Sequence, residues 1–134
     1  EAIGIYKKVL NIDSRNKEAL TEIAICYALT GNLESAETYI CRALRSHPKY
    51  NRAIWNKAEI IERIAGSMLD ENGTVSYEGK YVYEKAQEVY KQLFNDPEIG
   101  KNARNRYNYL KNLIRTSEDI FMHPNAKLDF QFGC

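Results

Sequence analysis

Proline is scarce, at three residues in 134, and so are cysteine, at three, and histidine, at two. Cys26, Cys41 and Cys134 include no CxxC pair, which excludes a disulfide-dense scaffold and any zinc-ribbon spacing. That usage points to a reducing compartment, and the expected setting is the cytoplasm. The apolar runs are only a few residues long, which excludes a transmembrane helix, and no basic-then-apolar signal leader is recognised. An excess of one charge is missing too. Nineteen Lys plus Arg against eighteen Asp plus Glu leave +1, so a site for a polyanion would have to be a local patch. What is present is an ordinary globular balance: 44% hydrophobic, 28% charged, ten Tyr and a single Trp. The length suits one compact, mainly helical domain.

An internal repeat organises the first part of the chain. At an offset of thirty-four residues Ala2 falls on Ala36, Tyr6 on Ile40, Val9 on Ala43 and Leu10 on Leu44. Ala19 then falls on Ala53, Leu20 on Ile54, Ala24 on Ala58 and Tyr27 on Ile61. Small residues meet small ones and large apolar residues meet large ones. Within the unit, Leu20, Ile23, Ala24 and Tyr27 follow the i, i+3, i+4, i+7 stripe of an α-helix. Gly31 and Asn32 break it. Leu33, Ala36, Ile40, Ala43 and Leu44 form a second stripe, stopped at His47-Pro48 because proline disfavours helix at and before its own position. The unit is therefore two short antiparallel helices, with alanines that allow close approach.

These residues, together with Tyr27, Gly31 and Pro48, resemble the tetratricopeptide repeat signature with its spacing intact. Leu20 stands where that family prefers Trp, Ala24 where Gly is common, and Ile40 where an aromatic is usual. The resemblance implies an all-α solenoid of antiparallel helix pairs with a C-terminal capping helix. Residues 1–16 resemble the second helix of a repeat, 17–50 a whole repeat, and 51–98 another, with Lys57 in place of a usual Leu. Residues 99–117 form the expected capping helix and 118–134 a tail. Ala36 to Ala86 spans fifty residues rather than thirty-four, which locates an inserted loop at 66–80. Since the chain opens in mid-pattern at Glu1, the expectation is that it continues a longer array.

No catalytic constellation is visible. His47 and His123 lie beside a helix end and in the tail, read as solvent-facing, with no Ser or Cys motif to serve. Asp70-Glu71-Asn72-Gly73 only superficially suggests a calcium loop, since Gly73 and Tyr81 fall at the wrong positions. The expectation is no enzyme, no cofactor and no metal. The resemblance implies a protein-interaction scaffold that takes a peptide or partner subunit in a concave groove. Its groove positions here would include Thr21, Ile25, Arg52, Trp55, Asn56, Glu59, Arg63, Lys101, Arg104 and Asn108. Trp55 is the natural anchor, because aromatic residues dominate interface energetics. The carboxylate clamp for chaperone tails does not fit, because Thr21 and Ile25 stand where it needs a basic residue and an Asn.

The alternative is a single-stranded RNA-binding repeat module. Lys101, Arg104, Arg106, Lys111 and Arg115, interleaved with Tyr107 and Tyr109, carry the cations and rings that such binding uses. Nucleic acid is the less favoured partner, and no membrane insertion is expected. The tail adds Leu128, Phe130 and Phe132, whose alternation puts all three on one side of an extended segment. It is expected to fold back on the helices or to occupy the groove of a neighbouring molecule, which would allow self-association.

Overall fold

A computed structural model describes residues 2–134, and all the regular structure among them is helical. In chain order the helices are α1 (Ala2–Ile12), α2 (Lys17–Leu29), α3 (Leu33–Ser46), α4 (Asn51–Ser67), α5 (Tyr77–Lys91), α6 (Gly100–Leu110) and α7 (Ser117–Phe121). No helix of the described residues is long and apolar enough to cross a membrane. The chain divides into two compact units. One runs to Ile60 and includes Phe132–Cys134; the other comprises Ile61–Gln131.

In the first unit α1 packs on α2 and α2 on α3. The helix boundaries follow from local chemistry. Asn16 caps α2, its side-chain oxygen accepting from the Ala19 amide at 2.9 Å, and Asn32 caps α3 through the Ser35 amide at 3.2 Å. Each satisfies an orphan donor of a first helical turn. Gly31 reverses the chain between α2 and α3 with φ of 85°, a left-handed conformation that glycine adopts without a Cβ penalty. Ala24, Ala36, Ala53 and Ala58 are completely buried, as are Ile23 and Ile40. Ala36 is fully enclosed, so Ala36→Leu is expected to overpack the core and cost about 1–3 kcal/mol, read as a lower urea midpoint. An unchanged midpoint would show that no helix crosses there.

In the second unit α5 packs on α6 around Val82, Ala86, Tyr90, Leu93, Ala103 and Leu110, all buried. Two expectations need correction here. The inserted segment 66–80 is loop only over 68–76, because α4 continues to Ser67 and α5 starts at Tyr77. Ser76 supplies the α5 cap, its hydroxyl accepting from the Gly79 amide at 3.0 Å. Gly79 is a close-approach residue rather than loop punctuation. A Cβ there would lie 2.7 Å from Val75 Cγ1 and 3.0 Å from the Ala65 carbonyl. The second correction concerns the helix expected over 99–117. Helix α6 ends at Leu110, turns follow, and α7 begins at Ser117. Thr116 and Asp119 cap α7 reciprocally. The Thr116 hydroxyl accepts from the Asp119 amide at 3.0 Å, and the Asp119 carboxylate accepts from the Thr116 amide at 2.8 Å.

Candidate functional site

One ion pair links α2 and α4 in the first unit. Arg52 on α4 donates to the Glu22 carboxylate on α2, so these two side chains face each other. Ile25 and Leu29 follow Glu22 by three and seven positions, and Trp55 and Glu59 follow Arg52 by the same steps. Helical periodicity therefore puts all six side chains on the facing stripes. Leu29 is 67% exposed, Glu59 is exposed, and Ile25 and Trp55 are half-buried. The stripe is thus an apolar strip with carboxylates and a guanidinium along it. Tyr50 flanks it under the Lys17 ammonium, 4.7 Å from the ring centroid. Burial, reinforced by Glu18, pushes the Tyr50 hydroxyl above its ordinary pKa, so it stays protonated and able to donate.

Two residues expected in the groove are not on this surface. Thr21 is fully buried, and its hydroxyl has no hydrogen-bond partner in the structure. Asn56 is 7% exposed. Each lies one position off its stripe, which turns it into the helix packing. Histidine 47 was read as solvent-facing, yet it is half-buried, and its ring Nε2 donates to the Arg15 carbonyl at 3.0 Å. That bond ties the end of α3 to the turn between α1 and α2.

In the second unit, Arg63 on α4 and Lys101, Arg104 and Asn108 on α6 are exposed. The basic run around them is largely engaged within the protein. Arg106 grips Glu62 through Nε, 3.1 and 3.0 Å from the two carboxylate oxygens, and Glu62 also accepts from the Tyr90 hydroxyl at 2.5 Å. Arg115 donates to both Glu84 oxygens, at 2.7 and 2.9 Å, and to the Tyr77 hydroxyl at 3.0 Å. These hydrogen bonds to carboxylates raise the pKa of both guanidiniums. Arg104 donates to the Phe94 carbonyl, and Tyr107 meets Phe94 edge to face at 5.2 Å. Bidentate Arg–carboxylate pairing is the residue's preferred geometry, and it fixes α6 and the following turn to α4 and α5.

A polar pocket of about 370 Å³ opens in the same unit, lined by Asp70, Tyr77, Lys80, Tyr83, Asp119 and His123 among others. Sequence reasoning did not find it, because its residues come from an inter-helix loop, α5 and the segment around α7. Lys80 and Asp119 pair across it at 3.3 Å, and the His123 ring stacks on Tyr77 at 4.0 Å. Asp70 accepts from the Thr74 hydroxyl at 2.8 Å and from the Asn72 and Thr74 amides at 2.9 and 3.1 Å. Its carboxylate is thus spent on closing the loop rather than on a cation. Among the described residues no group of three or more His, Cys, Asp or Glu side chains is placed to hold a metal ion.

The Thr74 hydroxyl holds the Asp70 carboxyl below its usual range, and the Thr116 amide does the same for Asp119. A carboxyl whose folded pKa is depressed contributes stability above its unfolded pKa, about 3.9, and loses it as pH falls through the lower folded value. The loop and the α7 cap are therefore expected to keep their amide-exchange protection down to about pH 4 and to lose it below. Loss of that protection between pH 5 and 7 would contradict the assigned partners.

A family model described as tetratricopeptide repeat matches residues 1–59. This segment belongs to the tetratricopeptide repeat family. The match covers α1, α2, α3 and the first half of α4, which are the elements that carry the Glu22–Arg52 stripe. The tetratricopeptide repeat supports a role in protein–protein interaction and a non-catalytic one in general. No curated protein and no solved structure matches the chain.

Proposed function

We propose that this chain is an interaction scaffold that binds a peptide or a partner subunit along the inner stripe of its tetratricopeptide repeats. The observation that carries the reading is the stripe of Glu22, Ile25 and Leu29 on α2 against Arg52, Trp55 and Glu59 on α4. Exposed Leu29 and half-buried Ile25 and Trp55 lie there among charged side chains, in the segment that the family model matches. An extended segment with an apolar anchor fits such a strip. The anchor would rest on Ile25 and Trp55. The RNA-binding alternative has less support. It needs phosphate-ready cations, and Arg106 and Arg115 already hold Glu62 and Glu84.

Trp55 is the single tryptophan, so its fluorescence reports on the stripe without a label. A peptide array should yield a binder that perturbs this emission, and its affinity should fall on the order of 30-fold in Trp55→Ala, the scale of an interface hot spot. Affinity should change little between 50 and 200 mM salt, whereas phosphate contacts would make it fall steeply. Unchanged affinity in both Trp55→Ala and Ile25→Ala, or tight salt-sensitive binding of poly(U), overturns the reading.

A further inference from the structure

The last three residues belong to the first unit, away from the stripe just described. There the Gly133 amide donates to Glu37 Oε2 at 2.7 Å, and Lys57 Nζ donates to the Cys134 carbonyl at 2.7 Å. The same ammonium stands 5.7 Å from the centroid of the Phe132 ring. Cys134 is bonded to Cys41, with the two Cα atoms 5.4 Å apart and the residues ninety-three positions apart in sequence. Glu37 and Cys41 are one turn apart on α3, and Lys57 comes from α4. The Gly133 amide and the Cys134 carbonyl are therefore both met by side chains of these two helices.

The fit is selective in three ways. A Cβ on residue 133 would lie 2.8 Å from Glu37 Oε2 and 3.6 Å from Cys41 Sγ. The carboxylate would have to swing aside to make room, which stretches its bond to the Gly133 amide, so glycine fits best. The ammonium asks for an aromatic ring one residue earlier, through the attraction of a cation to a π face. The buried Cys41 sulfur asks for a cysteine one residue later. Lys57 is partly buried, and desolvation lowers its pKa, so the carbonyl and the ring satisfy a charge that water serves poorly.

We infer that Glu37, Cys41 and Lys57 form a second peptide site, which accepts an extended aromatic–Gly–Cys segment and locks it through a disulfide. The chain's own Phe132–Cys134 closes this site in cis. A dithiol opens it: two electrons and two protons pass from the dithiol to the Cys41–Cys134 bond, which yields two thiols while the dithiol becomes a disulfide. Closure is the reverse exchange with a small-molecule disulfide as oxidant, Cys134 or an incoming cysteine first forming the mixed disulfide that Cys41 resolves.

The test uses the full chain in a Cys26→Ser background, which leaves only the two cysteines of the latch. Without reductant, iodoacetamide should label neither cysteine of the monomer, and after dithiothreitol it should label both. Next, Cys134→Ser protein is mixed with the heptapeptide of residues 128–134 activated as its mixed disulfide with glutathione. Mass spectrometry should find the peptide on Cys41, on the order of tenfold faster than a peptide carrying Val for Gly133, the effect of losing one charge-assisted hydrogen bond. Lys57→Ala should slow capture similarly while circular dichroism stays unchanged. Labelling of Cys41 before reduction, a disulfide-linked dimer in place of the monomer, or equal capture of both peptides would each overturn the proposal.

Discussion

Glu62→Ala is expected to lower stability by about 2–4 kcal/mol. That is somewhat below the roughly 3–5 kcal/mol for breaking a fully buried ion pair, because the Arg106 side chain is 42% exposed. Two residues converge on Glu62. Arg106 approaches from α6 with a two-pronged grip, and the fully buried Tyr90 donates from α5. The substitution takes the carboxylate partner from a guanidinium and an acceptor from a buried hydroxyl at the same time, while opening space beside both. The cost should vary little with salt, because the carboxylate is only 10% exposed and ionic screening does not reach it well. Glu62→Gln keeps the shape and one acceptor oxygen, and should cost less. Urea denaturation of the three proteins at low and high salt checks the series. A Glu62→Ala midpoint equal to that of the parent would mean that this node does not hold α5 and α6 to α4.

Ile40→Ala should cost about 2–5 kcal/mol, the range for deleting a buried aliphatic side chain with its cavity. Ile40 is wholly buried on α3, and one turn away on either side sit Ala36 and Ala43, also wholly buried. Alanine neighbours have no rotamers with which to fill a hole, which argues for the upper half of the range. Ile12 makes the internal control. It is the same residue type at the end of α1 and is 91% exposed, so Ile12→Ala should stay within about 0.5 kcal/mol of the parent. Similar losses for the two variants would show that the burial pattern of the repeat is wrongly assigned.

The two isoleucines also show what a repeat in sequence conveys. Ile40 sits in the stripe that recurs at thirty-four residues, and its burial follows from that periodicity alone. The helix pair α2–α3, its break at Gly31-Asn32 and the buried alanines were all legible for the same reason. Each depends on residues within about one helical turn of one another. The capping box at Thr116 is equally local, and T-S-E-D was available to be read as the start of α7.

The features that escaped the sequence are those that pair residues far apart along the chain. Nothing near Cys41 announces Cys134, and the count of three cysteines pointed toward a reducing setting, an argument that the Cys41–Cys134 bond removes. Nothing near Arg106 or Arg115 announces Glu62 or Glu84, so a run of five cations looked like an electrostatic surface until folding brought carboxylates to two of them. Gly79 reads as a loop residue in sequence, whereas the space it leaves is set by the Ala65 carbonyl and Val75. Periodicity says which face of a helix is apolar, but it carries no information about which distant side chain will meet that face. The sequence by itself determined the α2–α3 helix pair, its break and the small residues within it, because those follow from local sterics and hydrogen bonding. Only the tertiary structure decided which charges are neutralised, which polar groups are buried and where the tail docks, because each is a contact between segments that the chain brings together only on folding.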